Sequence, residues 1–378
     1  MKRKLRILQT NNHRGGWGGQ PNRVLVKSQG LTKLGHFVII AVPRGSTLAG
    51  RARAKSLNVY DELEFSRKFS LFNKIQEVLK IKNLIESEEI DIVHTHGSQD
   101  TWIAATAAHL SKKKPLVIRT RHNIFQVSTH LFNKLLYRKM IDKVIAVSDG
   151  VTKIFEENKL IPAESIKIIC SSVDLDRFDT ENDGAKIRAE FNINKETILI
   201  GMAGRLAREK GHDVLIEAAR EITAKRTDVK FILAGDGPEE KRLKEKVKEY
   251  GMTDSIIFAG FRTDIPEFLA ALDIFTLTPI SGESLGTAIL EAFAMKKPVV
   301  AADLGGIHTS VRDGKTGFLF EPGNSKELGE KLIELIENPA LRKQFGEAGR
   351  KMIEEEFTEE RMVALTEELY FEELNKRK

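Results

Sequence analysis

Cysteine is nearly absent. Cys170 is the one thiol among 378 residues, which excludes an intrachain disulfide framework and a thiolate metal cluster and predicts a reducing compartment. Long apolar runs are also missing. No stretch approaches the ~20 residues that a membrane-crossing helix needs, and the apolar run after Lys2, Arg3 and Lys4 is too short for a signal peptide. Together these absences predict a soluble, cytoplasmic protein. Proline and glycine are not in excess, and with 41% apolar and 30% charged residues neither a collagen-like nor a wholly disordered chain is compatible. Acid is missing from one end. The first fifty residues contain no Asp or Glu. Residues 1–180 hold 30 basic and 17 acidic residues, a net +13, whereas residues 181–378 hold 30 and 37, a net −7. Such a split predicts that the halves face different partners, unless the basic half is merely a solvated surface. An anionic group is expected against the first half: a phosphorylated substrate or a lipid headgroup. No nucleic-acid-binding signature accompanies the dispersed basic residues, so no nucleic acid is expected.

A chain of this length normally divides into two domains, each with its own core. Apolar runs predict strands at 5–10, 36–42, 90–95, 116–119 and 143–147, and helical spacing predicts helices at 20–34, 73–88, 102–110 and 130–140. The pattern then restarts. Strands are expected at 197–203, 229–234, 256–258, 274–278 and 299–301, with helices at 211–224, 239–250, 265–271 and 286–295. Three charged helices follow, at 325–337, 340–355 and 359–376. Strands alternating with helices predict βαβ units and parallel sheets. The fold class is therefore α/β: two Rossmann-like, doubly wound domains facing a cleft, 1–180 and 181–358, with the polar stretch 171–194 as the linker.

Several phosphate and metal motifs fail on inspection. Gly16-Trp17-Gly18-Gly19-Gln20-Pro21 lacks the third glycine of a dinucleotide fingerprint, and Val42-Pro43-Arg44 ends the second strand without the ribose-binding acid. Gly314-Lys315-Thr316 resembles a P-loop, but Thr309 stands where the first glycine is required. Asp174-Leu175-Asp176 has the form of a metal-binding pair in a place better suited to capping a helix. His94 and His96 lack a third ligand, so polar strand-end roles are expected for them.

The positive signal lies in the second half. Strand 198–203 runs into Gly204-Arg205-Leu206-Ala207-Arg208-Glu209-Lys210-Gly211, and further on comes Ser281-Gly282-Glu283-Ser284-Leu285-Gly286-Thr287-Ala288-Ile289-Leu290-Glu291. Gly286 lies at the start of a predicted helix, where free backbone N–H groups bind phosphate. At ~1.5 Å per residue, Glu291 lies roughly 7 Å further along. That step suits a ribose joined to a diphosphate at the helix start, since a carboxylate accepts from two hydroxyls. Glu283, on the other side of the helix start, suits a sugar on the second phosphate. Arg205 and Lys210 supply a guanidinium fork and an ammonium for the leaving group. Each feature alone is ordinary in a chain rich in Glu and Lys. Their order and placement carry the reading.

The run Gly204–Gly211, the Glu283 and Glu291 pair with seven residues between, Ala234-Gly235-Asp236-Gly237-Pro238 and Phe258-Ala259-Gly260-Phe261 resemble retaining glycosyltransferases of family 4, with the GT-B fold. Val93-His94-Thr95-His96-Gly97, Arg119-Thr120-Arg121-His122 and Asp174–Phe178 also look familial, although Cys170-Ser171-Ser172-Val173-Asp174 departs from the Pro-Asn-Gly-Val-Asp of many relatives. The resemblance implies that a nucleotide sugar binds mainly to the second domain. Glu291 would hold the ribose. Arg205, Lys210 and the N–H groups near Ser284, Leu285, Gly286 and Thr287 would hold the diphosphate. Glu283 would orient the sugar, with His122 reaching it from the first domain, and Gly18 and Gly19 would belong to a loop approaching the diphosphate. The last helix, 359–378, would cross back onto the first domain. The resemblance further implies retention of configuration, no metal and no cofactor beyond the nucleotide-sugar substrate. The acceptor would be a glycan or lipid-linked molecule, as in lipopolysaccharide or other cell-surface polysaccharide synthesis. The basic helix 130–140 suits peripheral contact with an anionic membrane, as well as packing on the sheet with its basic residues in solvent. Gly15–Gly19, with Trp17, would suit an acceptor wall. Two other classes remain open: a GT-B nucleotide-sugar epimerase and a non-catalytic sugar-nucleotide-binding protein.

Overall fold

The protein is described here by a computed structural model, which covers residues 3–15, 18–65 and 70–377. The Gly16–Trp17 part of the glycine-rich turn, including the expected acceptor wall at Trp17, lies outside the described residues. The chain forms two compact units, 1–171 with 359–378, and 172–358.

The first unit contains a seven-stranded parallel sheet. Its strands are β1 (Arg6–Thr10), β2 (Phe37–Pro43), β3 (Asn58–Leu63), β4 (Ile92–Thr95), β5 (Leu116–Arg121), β6 (Lys143–Ala146) and β7 (Ile166–Ile168), ordered β3-β2-β1-β4-β5-β6-β7. The strand order reverses between β1 and β4, where Gln9 is paired with His94. Such a switch point is where open α/β sheets bind ligands. Helices cover the sheet because parallel strands are apolar on both faces. The last helix, Glu359–Asn375, belongs here. It buries Met362, Val363, Leu369 and Tyr370 against Leu5, Ile7, Leu31 and Val38.

The second unit repeats the plan with six strands: β8 (Ile198–Ala203), β9 (Val229–Ala234), β10 (Ile256–Gly260), β11 (Ile274–Leu277), β12 (Val299–Ala302) and β13 (Gly317–Phe320), ordered β10-β9-β8-β11-β12-β13. Here the reversal falls between β8 and β11, the strands whose exits carry Arg205, Lys210 and Glu283. Side chains mark the helix starts. Asn324 accepts from Glu327 N at 3.1 Å, and Asn338, followed by Pro339, accepts from Leu341 N at 3.0 Å.

Three expectations need correction. The chain passes between units at Ser171 and Ser172, not at 180, because Val173 N donates to Phe357 O at 3.0 Å and the Phe178 carbonyl accepts from Arg350. The supposed linker is partly helical over Ala185–Glu190. Ile187 of that helix is buried, and Arg188 donates to the carbonyls of Ala271, Asn194 and Thr197 and to Asp273. The basic helix is α-helical only over Leu131–Leu135. It then widens to a π-turn at Leu136–Met140, which sends Leu136 and Tyr137 into the core while Leu131 and Phe132 stay exposed.

Candidate active site

The site in the second unit is built by lacing two strand exits together. Beyond β8 the chain makes a short helical turn, Arg208–Lys210, and then Gly211 at φ +67. A Cβ at Gly211 would stand 1.9 Å from the Thr278 carbonyl oxygen. Thr278 follows β11, and its hydroxyl donates to the Gly211 carbonyl at 2.9 Å. Ile280 N also donates to the Glu209 carbonyl, at 3.0 Å. These bonds clamp the 208–211 turn onto the 278–281 loop. Gly211→Ala is therefore expected to cost roughly 2–3 kcal/mol through left-handed strain, with the backbone clash in addition. Calorimetry should show a fall of several degrees in Tm, and an unchanged transition would contradict the clamp.

The clamp brings Lys210 to Glu283. Lys210 Nζ donates to Glu283 Oε2 at 2.7 Å, and Glu283 Oε1 accepts from Gly286 N at 3.1 Å and from Ser284 N at 3.3 Å. The Glu283 side chain is only 14% exposed. Gly286 is the N-cap of helix Thr287–Ala294, in the left-handed region at φ +70, and no side chain caps the helix. Thr287 and Ala288 therefore head it with N–H groups that have no intrahelical acceptor. This corrects one detail of the sequence reading: the Gly286 N–H is held by Glu283 and is not open to phosphate. The loop below is braced from Ser310, whose hydroxyl donates to the Leu285 carbonyl.

Glu291 stands further along the same helix. Burial pushes its carboxyl up to about 7, with Arg177 pulling the other way. Arg205 is exposed on the 204–211 loop, with no ion pair among the described residues. The glycine-rich run after β9 lies against that loop: Leu206 N donates to the Asp236 carbonyl at 2.7 Å, and Glu239 N to the Leu206 carbonyl at 3.0 Å. Nearby, Phe261 is 71% exposed. Arg262 is committed to Glu190 at 2.9 Å and Asp264 at 2.7 Å. Asp174 caps a turn and not a helix, its Oδ1 accepting from Asp176 N and Arg177 N.

In the first unit Gly18 is the N-cap, and Gly19 the first residue, of helix Gly19–Lys33, again with no side-chain cap. His122 follows β5, and its Nε2 lies 2.8 Å from His96 Nδ1. His94 and His96 are buried, and sequence reasoning missed what they meet: the Lys27 ammonium position lies 3.1 Å from His96 Nε2 and 3.2 Å from both ring nitrogens of His94. Among the described residues no group of His, Cys, Asp and Glu is arranged to hold a metal ion.

Comparison with known proteins adds to this geometry. Residues 17–177 match the family model for Glycosyltransferase Family 4, and residues 183–352 match that for Glycosyl transferases group 1. The N-acetyl-alpha-D-glucosaminyl L-malate synthase of Bacillus anthracis is 28% identical over 78% of each chain. The UDP-Gal:alpha-D-GlcNAc-diphosphoundecaprenol alpha-1,3-galactosyltransferase of Escherichia coli is 26% identical over 73% of this chain and 74% of its own. A crystal structure of a glycosyltransferase from Rickettsia africae superposes with a TM-score of 0.90 at 26% identity, over 99% of both chains.

Proposed function

The chain belongs to the family 4 glycosyltransferases, with the GT-B fold, and from that premise we propose that it moves a sugar from a nucleoside diphosphate to a glycan or lipid-linked acceptor, with retention of configuration and without a metal. The observation that carries the reading is the Lys210–Glu283 pair closed over the head of helix Thr287–Ala294. The two side chains satisfy one another. A diphosphate at the helix head takes Lys210 as its counter-ion and accepts from Thr287 and Ala288. Glu283 is released to accept from hydroxyls of the sugar. Glu291 accepts from the two ribose hydroxyls, and the exposed Arg205 adds a second cation.

As the anomeric C–O bond breaks, charge builds on the leaving diphosphate. Cations and N–H groups already in place stabilise that charge by ~3 kcal/mol per good donor, by analogy with oxyanion holes. The acceptor hydroxyl then attacks the face the leaving group departs from, giving up its proton to the departing phosphate. The test is a panel of uridine, guanosine and adenosine diphosphate sugars, with and without undecaprenyl-diphosphate-linked glycans, in the presence of a chelator. Acceptor-dependent release of nucleoside diphosphate with an unchanged anomeric configuration is expected. Release without acceptor would indicate the epimerase reading, and binding without turnover a scaffold. The Escherichia coli relative, whose name specifies a UDP-sugar donor and a lipid-linked acceptor, supports the acceptor class.

A lipid-linked acceptor places the enzyme at a membrane surface. No helix among the described residues is long and apolar enough to cross a membrane. The segment between Asp100 and Asp142 holds no acid. Within it Phe125, Leu131, Phe132 and Leu135 are exposed, at 64%, 77%, 66% and 49%, beside exposed Lys134, Arg138 and Lys139. An apolar tip with a basic rim suits an anionic bilayer. In low salt the protein is expected to float with vesicles containing phosphatidylglycerol and not with phosphatidylcholine alone. Replacing Leu131 and Phe132 by Ser should cut binding at least tenfold, given ~1.5–3 kcal/mol per buried side chain. Absence of lipid-dependent flotation would remove the membrane contact.

A further inference from the structure

The apolar tip at 125–135 is not the only large apolar surface that the first unit leaves in solvent. A second lies on the helix that joins β3 to β4, Leu71–Ser87. Leu71, Phe72, Ile75 and Leu79 are each at least half exposed. Steps of four, from 71 to 75 to 79, set them in one stripe. The opposite side of this helix is an ordinary core face: Ile81 and Ile85 are buried, with Val78 and Leu84 packed against the same cluster. One apolar stripe is enough to seat a helix on a sheet. The outer stripe adds nothing to that packing.

Charge decides what the stripe fits. From 65 to 76 the sequence holds Arg67, Lys68 and Lys74 and no acid. Glu77 comes next and is turned inward: it is buried, and its Oε1 accepts from Glu64 N at 2.6 Å and Phe65 N at 2.7 Å. Lys80, exposed beside Leu79, donates to the Glu62 carbonyl at 3.1 Å. The following acid, Glu86, is paired with Lys82 at 2.9 Å. The outer face of the helix is therefore apolar between cations, with no exposed carboxylate before Glu86. A second copy of the chain docked about a two-fold axis would lay this face on itself, cation against cation. An anionic bilayer satisfies both parts, the apolar side chains among acyl chains and the cations among headgroups.

The stripe and the tip share a face and an edge of the first sheet. A helix that crosses between parallel strands starts at the carboxyl end of the first of them. Helix Leu71–Ser87 follows β3 and the 122–140 segment follows β5, so both start at the carboxyl edge. Both pack on helix Ser98–Leu110. Ile81 and Ile85 of one, and Leu136 and Tyr137 of the other, belong to one core cluster.

We propose that Leu71, Phe72, Ile75 and Leu79 form a second foot of the membrane contact, entering an anionic bilayer beside Phe125, Leu131 and Phe132. The proposal rests on the membrane reading given above and extends it from a point to a face. A single tip lets the unit pivot on the surface. Two feet on separate elements fix its tilt and turn the carboxyl edge of the first sheet, where open α/β sheets bind ligands, toward the headgroups.

The test is flotation of the full-length protein with phosphatidylglycerol vesicles at low salt. Phe72→Ser with Ile75→Ser, and separately Leu131→Ser with Phe132→Ser, should each cut vesicle affinity at least about tenfold. Melting temperatures should not change, because all four side chains are exposed. Phe72→Trp keeps the apolar surface and reads insertion directly. Its emission should shift to the blue on these vesicles and be quenched by lipids brominated in the acyl chains. Both changes should exceed those of the wild type, whose own tryptophans are Trp17 and Trp102. If the Leu131 and Phe132 variant loses affinity while the Phe72 and Ile75 variant keeps it, or Phe72→Trp shows no added quenching, the second foot is overturned and the tip stands. No flotation of the wild type would overturn the membrane reading itself, and the second foot with it. A concentration-dependent dimer by light scattering, abolished by Phe72→Ser with Ile75→Ser and insensitive to lipid, would assign the stripe to a second copy and overturn the proposal.

Discussion

Replacing Lys210 by Met is expected to lower kcat several hundredfold while the second unit stays folded. The magnitude follows from losing one preorganised cation at a developing charge, ~3–4 kcal/mol, and each ~1.4 kcal/mol is a factor of ten in rate. The fold should survive because the pair is part-exposed, at 29% and 14% for its two side chains. Glu283 still keeps its two backbone donors, Ser284 N and Gly286 N. Glu283→Gln should fall as steeply, because the amide keeps the shape but loses the charge that the sugar hydroxyls need. The two losses should not add. Each single change leaves the partner without its counter-charge, so the double variant should be little slower than the worse single one. Arg205→Ala, which removes an exposed cation, should lower kcat severely as well. Rapid-quench measurement with saturating donor checks all of these, and an unchanged chemical step in Lys210→Met would contradict the assignment.

Glu291→Ala is expected to weaken nucleoside diphosphate binding at least about 100-fold, with a smaller effect on the chemical step. Two hydrogen bonds to a carboxylate, each ~1.5–3 kcal/mol, set that scale. A pH signature accompanies it. Burial raises the free carboxyl to about 7, so near neutrality it is part-protonated. Ribose hydroxyls donate, and they favour the ionised form. Binding therefore draws the carboxyl down and releases a proton at pH 6, and affinity falls as the pH drops below 7 and levels off above it. Calorimetric titration in buffers of different ionisation enthalpy reads the proton directly. Glu291→Gln should bind with a flat profile over the same range, and a wild-type affinity independent of pH from 6 to 8 would remove Glu291 from the ribose.

Much of this architecture is legible in the sequence because parallel strands buried on both faces read as apolar runs. The three strands that escape notice, Asn58–Leu63, Ile166–Ile168 and Gly317–Phe320, are all edge strands. In the first two, exposed or part-exposed positions let Asp61, Glu62 and Lys167 interrupt the apolar pattern, whereas Gly317–Phe320 is apolar but only four residues long. Helices Thr47–Ala54 and Asp149–Asn158 escape for a different reason: they are short, and only three and four of their residues are buried. In the site, the residue types that serve phosphate were visible in the 204–211 and 281–291 runs. Their pairing was not, since Lys210 and Glu283 are 73 positions apart and meet only because Gly211 packs under Thr278. Nor could the chain show that Gly286 spends its N–H on Glu283. The cluster around Lys27 was least legible of all. A lysine in an amphipathic helix reads as solvated, and only the fold, which buries Lys27 against His94 and His96, reveals that it points inward.

The most direct measurement is a crystal structure of the protein with a nucleoside diphosphate bound. The account predicts the distal phosphate within hydrogen-bonding distance of the Thr287 and Ala288 N–H groups and of Lys210 Nζ, with Glu283 turned from Lys210 and both ribose hydroxyls on Glu291. A diphosphate bound elsewhere, with the Lys210–Glu283 pair still closed at 2.7 Å, would contradict it.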